Sequence, residues 1–297
     1  MTTRLAFIGF GEVASAFSAA LAAHGAEIAA YDVLIGQAGG IDRLKARSAG
    51  TKIAFCELAE AVSGAQYVLS TVTTSVAREA ARQCVPHLGP ARTYVDLNAT
   101  DPGVKLEIAR IISPSGAAFV EGAVLGAVGV TGAKTEILLG GPHGRRAERE
   151  LGGELGLNVR FYSEDIGKAS MFKMLRSVFS KGVEALLIEF LVAGERAGIR
   201  DDLWREVTEL FSRHPFETTA SNWVRSHATA HARRYHEMKQ VAGVLRQLGV
   251  EPVVTAATEA FFERSGSLGL QEQFKATPGT MDELVEFLNQ RLPAPPR

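Results

Sequence analysis

Cysteine is scarce in this 297-residue chain, which has only Cys56 and Cys84. Two cysteines without metal-ligand spacing exclude a disulfide framework and a thiolate metal centre, and they fit a reducing cytoplasm. Neither sign of charge is in excess, since the formal net charge is −1. No global field therefore draws the protein to nucleic acid or to an anionic membrane. A long hydrophobic run is also lacking. The most apolar later stretch, VEALLIEFLVAG, contains Glu184 and Glu189 and is too short to span a bilayer. The apolar burst near the N-terminus is short and broken by glycine, unlike a signal peptide. There is no internal repeat, and low complexity is confined to the tail LPAPPR, which cannot continue a helix. These absences predict a soluble cytoplasmic protein.

What the chain does have is apolar sequence, 46% of its residues, over a length sufficient for two domains. Residues 5–25, LAFIGFGEVASAFSAALAAHG, combine a strand-like run, two glycines and a small-residue amphipathic run. Leu5 to Ile8 suit a buried strand, and Gly9 and Gly11 suit a sharp turn. Ala14, Phe17, Ala20 and Leu21 then share one helical face. A turn of this kind aims backbone N–H groups and a helix N-terminus at one spot, which suits a pyrophosphate. The next apolar run, AEIAAYDV, places Asp32 where an acidic group meets a ribose 2′-hydroxyl and repels a 2′-phosphate. The segment predicts a dinucleotide site that prefers NAD to NADP, formed by Gly9, Gly11, Glu12, Val13 and Asp32.

Strand and helix patterns alternate through the first half. Strands are expected at Leu5–Ile8, Glu27–Tyr31, Lys52–Phe55, Tyr67–Val72, Thr93–Leu97, Ala118–Glu121, Glu136–Gly140 and Asn158–Tyr162. Helices are expected at 11–24, 57–63, 75–87, 102–112 and 144–154. Alternation predicts an α/β domain over 1–163 with a doubly wound, mainly parallel sheet. Ligands of such sheets lie beyond the C-terminal strand ends, which adds Thr71, Thr73 and Asn98 to the cofactor cleft. From 164 to 297 the pattern becomes helical: a long helix over about 167–197, then helices near 201–212, 217–248, 252–264 and 280–291.

The long helix is apolar almost all round, from Met171 and Phe172 to Phe190 and Leu191, and such a helix is expected to be buried on most sides. One polar ridge interrupts it: Lys173, Ser177, Lys181 and Glu184. Lys181 can pair with Glu184, whereas Lys173 has no acidic residue three or four positions away. A partly desolvated lysine has a lowered pKa and exchanges protons near neutrality, so Lys173 is the candidate general acid/base. The apolar helix also predicts a homodimer or higher even oligomer built through residues 167–291.

These motifs resemble the β-hydroxyacid dehydrogenases, the group related to 3-hydroxyisobutyrate and 6-phosphogluconate dehydrogenases. The resemblance runs from GFGEVASAF to the LGV at 248–250, and the C-terminal half is similar to a phosphogluconate-dehydrogenase-like subgroup. It implies a Rossmann domain followed by an all-helical domain, joined through the long helix, with a Lys-x-x-x-Asn motif whose lysine falls on Lys173. Ser177 stands at the asparagine position. The family's Asp-x-Pro-Val-Ser-Gly-Gly substrate loop aligns with EGAVLGA at 121–127, with Leu125 at its serine and Ala127 at its second glycine. The family's phosphogluconate-type glutamate is Ser180 here, and its late Lys-Asp pair is His236–Glu237.

The resemblance implies NAD-linked transfer of a hydride to or from a small β-hydroxy acid. Lys173 and Ser177 would be catalytic, and Asn98, Gly122, Ala123 and Val124 would contact substrate. An acid without the family serine needs other donors, and HATAHARRYHEM offers Arg233, Arg234 and His236. His227 and His231 are four apart, but no acidic or cysteine ligand accompanies them, so no metal is expected. The rival readings are an aldehyde or imine reductase of the same architecture and a non-catalytic NAD-binding protein.

Overall fold

The computed structural model describes residues 2–293. The sequence expectation for the LPAPPR tail falls mostly outside that range. The chain divides into two compact units at Val178/Phe179, within the long helix.

The first unit holds eight strands: β1 Arg4–Ile8, β2 Glu27–Tyr31, β3 Ala54–Phe55, β4 Tyr67–Ser70, β5 Thr93–Asp96, β6 Ala118–Leu125, β7 Glu136–Gly140 and β8 Val159–Ser163. They form one sheet in the order β3-β2-β1-β4-β5-β6-β7-β8. Pairing is parallel from β3 to β6, and β7 runs antiparallel to β6. Alternate residues of each strand enter two separate cores. Leu5, Phe7, Leu69 and Val95 face one side, and Ala6, Ile8, Val68 and Tyr94 face the other. Burial on both faces explains why these strands read as nearly continuous apolar runs.

Helices α1 Glu12–Ala23, α2 Gly40–Arg47, α3 Leu58–Gly64, α4 Ala77–Cys84, α5 Pro102–Ile112, α6 Val128–Thr131 and α7 Gly144–Ala147 connect the strands. α5 starts where Asp101 accepts from Val104 N at 3.1 Å, with Pro102 in the first turn. Two expectations need correction. Helix α2 was absent from the sequence reading. Residues Glu121–Leu125, expected as a substrate loop, continue β6 and pair residue by residue with β7.

Helix α8, Lys168–Ala197, follows, then α9 Arg200–Arg213, α10 Phe216–Gln247, α11 Val253–Gly266, α12 Leu270–Gln273 and α13 Met281–Arg291. In the second unit a small core of Ala228, Leu270, Leu284 and Phe287 ties α10, α12 and α13 together. α11 begins against Glu189 of α8, which accepts from Val254 N at 2.8 Å, Thr255 N at 2.9 Å and Thr255 Oγ1 at 2.6 Å. The expectation that α8 is buried on most sides does not hold within one chain. Leu175, Val178, Phe179 and Ile188 are all more than half exposed, Val178 by 73%. No helix among the described residues is long and apolar enough to cross a membrane.

Candidate active site

The glycine turn between β1 and α1 is held by bonds to three neighbouring segments. Gly9 adopts φ +85°, and a Cβ there would lie 2.9 Å from the Thr71 carbonyl oxygen, so a side chain is excluded by both strain and space. Asp32 closes the turn from the end of β2. Its Oδ2 accepts from Phe10 N at 2.8 Å and its Oδ1 from Leu34 N at 2.9 Å. Thr71 Oγ1 donates to the Gly9 carbonyl at 2.6 Å, and Arg47 Nη1 to that of Phe10 at 3.3 Å. The first intrahelical bond runs from Ser15 N to the Gly11 carbonyl at 3.0 Å, so the N–H groups of the first turn lie free of the helix ladder.

A cleft of about 460 Å³ opens over this turn. Gly9, Gly11, Asp32, Thr71 and Thr73 line it, together with Tyr31, Val33, Val76, Glu79 and Gln83, which the sequence reading had not singled out. No basic side chain among the described residues lines it. Glu12 sits beside it in a separate recess with Gly11, Ser15 and Arg47, and Val13 packs partly buried against the core.

Asn98 is not among the residues lining that cleft. It is buried, and its Nδ2 donates to Ser70 Oγ at 2.9 Å and to the Asp96 carboxylate. Beneath it lies Lys105, fully buried, with its Nζ 3.1 Å from Asp96 Oδ2 and donating at 2.8 Å to the carbonyls of Asp96 and Asn98. This pair escaped the sequence reading. Its one signal was a lysine on the apolar stripe that Val104, Ile108 and Ile112 form on α5. Asp96 Oδ2 meets only the Lys105 ammonium, and the buried Asn98 Oδ1 and Thr100 Oγ1 have no hydrogen-bond partner among the described residues.

Ala123 and Val124 are buried in two different apolar clusters, and Gly122 lies against Leu97. The first turn of α8 packs on this part of the sheet through Ala169, which meets Ala123 and Leu138, with Phe172 against their edge. Phe172 also stacks obliquely on Tyr162, ring centroids 5.3 Å apart. Lys173 and Ser177 follow on the same helix, both half-buried. The Ser177 hydroxyl donates to the Lys173 carbonyl at 2.9 Å, which leaves its oxygen as an acceptor. Lys181 and Glu184 are exposed and make no ion pair with each other.

On α10 the expected acid-binding residues separate. Arg233 pairs with Glu237 at the surface, and His236 is exposed against the Tyr235 ring. Arg234 lines a cavity of about 480 Å³ in the second unit, with Trp223, His227, Phe261, Phe262 and Leu288. Its guanidinium donates to Ser226 Oγ at 2.7 Å and to the Trp223 carbonyl at 3.3 Å. His227 is buried there and its pKa is lowered to about 4, first by desolvation and then by His231 and Arg234.

A mainly parallel sheet with a glycine turn after its first strand, followed by a long helix and a helix-rich second unit, is the fold of the 3-hydroxyacid dehydrogenases, and known proteins share it. Residues 4–100 match the family profile described as NADP oxidoreductase coenzyme F420-dependent, and residues 195–265 match a domain of unknown function. The crystal structure of a conserved hypothetical protein from Sinorhizobium meliloti 1021 is 31% identical, covering 98% of this chain and 97% of that one, with a TM-score of 0.61. The conserved protein MTH1747, whose structure is described as similar to 3-hydroxyacid dehydrogenases, is 29% identical over 98% of this chain and all of its own, with a TM-score of 0.60. An imine reductase variant from Myxococcus stipitatus, solved with NAD+, shares the fold at 16% identity, a TM-score of 0.76, and coverage of 97% and 100%. The chain belongs to the family of the Sinorhizobium protein, and it is similar to a protein whose structure is described as resembling 3-hydroxyacid dehydrogenases.

Proposed function

We propose that this protein is an NAD-dependent oxidoreductase that moves a hydride between the nicotinamide and a small β-hydroxy acid or related hydroxylated acid. The observation that carries the proposal is the cleft over the Gly9–Gly11 turn, with Asp32 fixed at its rim and a partly buried lysine on the helix that starts at the same sheet. The fit to a dinucleotide is physical. The turn excludes side chains, presents first-turn N–H groups to an anion, and places a carboxylate where ribose hydroxyls donate. Asp32 and the absence of a basic lining residue both disfavour a 2′-phosphate. The M. stipitatus enzyme has also been solved with NADP+, so the family fold itself does not decide this preference.

When bound, the nicotinamide supplies the hydride acceptor or donor. Lys173 takes the proton of the substrate hydroxyl as that C–O bond becomes a carbonyl, and returns it in reduction. The Ser177 oxygen is oriented by its bond to the Lys173 carbonyl and is free to accept from the Lys173 amine, which would orient it toward the reacting hydroxyl. Arg233, Arg234 and His236 remain the α10 candidates for an acid group: Arg233 pairs with Glu237, Arg234 donates to Ser226 Oγ and the Trp223 carbonyl, and His236 is exposed. Screening small hydroxy acids with NAD and following NADH absorbance tests the proposal. Turnover of imines or aldehydes alone, or of no compound at all, would count against it.

The exposed apolar residues of α8 support a homodimer in the same reading. Leu175, Phe179 and Ile188 are each about 60% exposed, so covering what is left open contributes roughly 1–2 kcal/mol each, and a second copy of the chain is the cover we propose.

A further inference from the structure

Asp96 of β5 and Glu121 of β6 are register partners in the sheet, and both acidic side chains are fully buried. Asp96 is matched by the Lys105 ammonium. Glu121 Oε2 accepts from Gly167 N at 2.5 Å and its Oε1 from Ser170 N at 2.6 Å. Those two amides are the N-cap and third-residue donors of α8, which otherwise have no partner within the helix. The positive end of the helix and the carboxylate are therefore joined in a dry site, where such an interaction is stronger than at a surface.

The surroundings leave this carboxyl little freedom. A Cβ on Gly140, on the neighbouring strand, would lie 2.7 Å from Glu121 Oε2, so glycine there keeps room for the acid. Gly167 has φ +100° and closes on Pro102, which leaves α8 one way to start. Ala169, in the first turn, is fully buried against Ala123 and Leu138. Lys173 lies less than one turn beyond Ser170, so a helix start pinned at both Glu121 oxygens sets the height and rotation of the Lys173 side chain.

We infer that Glu121 is a positioning residue: it holds the first turn of α8 to the sheet and thereby fixes where Lys173 presents its amine. The inference rests on the reading of Lys173 as the proton carrier, but its geometric part can be tested separately. Two variants perturb the contact from opposite sides. Glu121→Gln replaces one acceptor oxygen with an N–H donor facing a backbone N–H. Gly140→Ala leaves Glu121 intact and pushes its carboxyl away.

The experiment uses the full chain, with far-ultraviolet circular dichroism to confirm folding. Hydrogen exchange by mass spectrometry reads the 164–172 segment, and competitive labelling with acetic anhydride reads the reactivity of Lys173 against that of exposed Lys181. Both variants are expected to speed exchange in 164–172 at least ~10-fold and to change Lys173 labelling at least ~3-fold, with Lys181 unchanged. With an active hydroxy acid, kcat should fall at least ~10-fold while NADH affinity stays within about twofold. Wild-type Lys173 labelling and wild-type kcat in both folded variants would overturn the inference, even if exchange rises. A Lys173→Met enzyme that turns over normally would instead remove the catalytic reading and leave the labelling result to decide the role of Glu121.

Discussion

His227 gives the second unit a built-in acid sensitivity. Its ring lies between Phe262 and Phe261, at 5.4 and 5.7 Å between centroids, and its Nε2 is 3.0 Å from Ser265 Oγ. Ser265 donates its only hydroxyl proton to the Phe261 carbonyl, so His227 must donate from Nε2 and keep Nδ1 bare. Protonation at Nδ1 would put a charge into an aromatic cavity already facing Arg234. The folded pKa is about 4 against an ordinary value of 6.5. The depressed value means that this contribution is fully present above pH 6.5 and is lost as pH falls toward 4, because the unfolded chain takes up the proton first. At 1.36 kcal/mol per unit the loss between pH 7 and 5 would approach ~2 kcal/mol, and water at the cavity mouth reduces it to roughly 1–1.5 kcal/mol. Urea unfolding at pH 7 and pH 5 on wild type and His227→Gln measures it. The variant should lose about 1 kcal/mol less than wild type on acidification, whatever its absolute stability. Equal pH dependence in the two proteins would refute the assignment.

Three further outcomes follow from the same structure. Glu12 sits at the first turn of α1 beside the proposed pyrophosphate site, so Glu12→Gln should tighten NADH binding a few-fold by removing a like charge, most clearly at low salt, as followed by NADH fluorescence. If α10 holds the acid group, separate alanine substitutions at Arg233, Arg234 and His236 should raise KM for the acid substrate in at least one variant, with NADH affinity unchanged. Equal KM in all three variants would place the acid group elsewhere. Light scattering at micromolar concentration should give at least twice the 31.8 kDa chain mass, and a monomer would contradict a second copy as the cover for α8.

Much of the fold was legible because its signals are local. The turn glycines, the Asp101–Pro102 start of α5 and the apolar strand runs need no distant partner to be read. Helix α2 was missed because its eight residues carry only two apolar positions on a helical stripe, Ile41 and Leu44, behind a glycine-rich loop. The second half of β6 was read as a loop because EGAVLGA matched a family loop. Its strand character comes from pairing with β7, which no local pattern reveals.

The site shows the same division. Asp32 and the glycine turn were readable, whereas the burial of Asn98 depends on Ser70, Asp96 and Lys105 arriving from three other segments. Glu121 as the cap of α8 joins residues 46 positions apart and left no trace in spacing. The apolar surface of α8 was read correctly as a pattern, but its expected burial fails in a single chain because one chain does not supply the cover.

The central claim is that Lys173 carries the proton in an NAD-linked hydride transfer, and Lys173→Met tests it most directly. With the hydroxy acid that wild type oxidises, kcat should fall at least ~10²-fold while NADH still binds with nearly wild-type affinity. Near-wild-type turnover by Lys173→Met on that substrate would contradict the account.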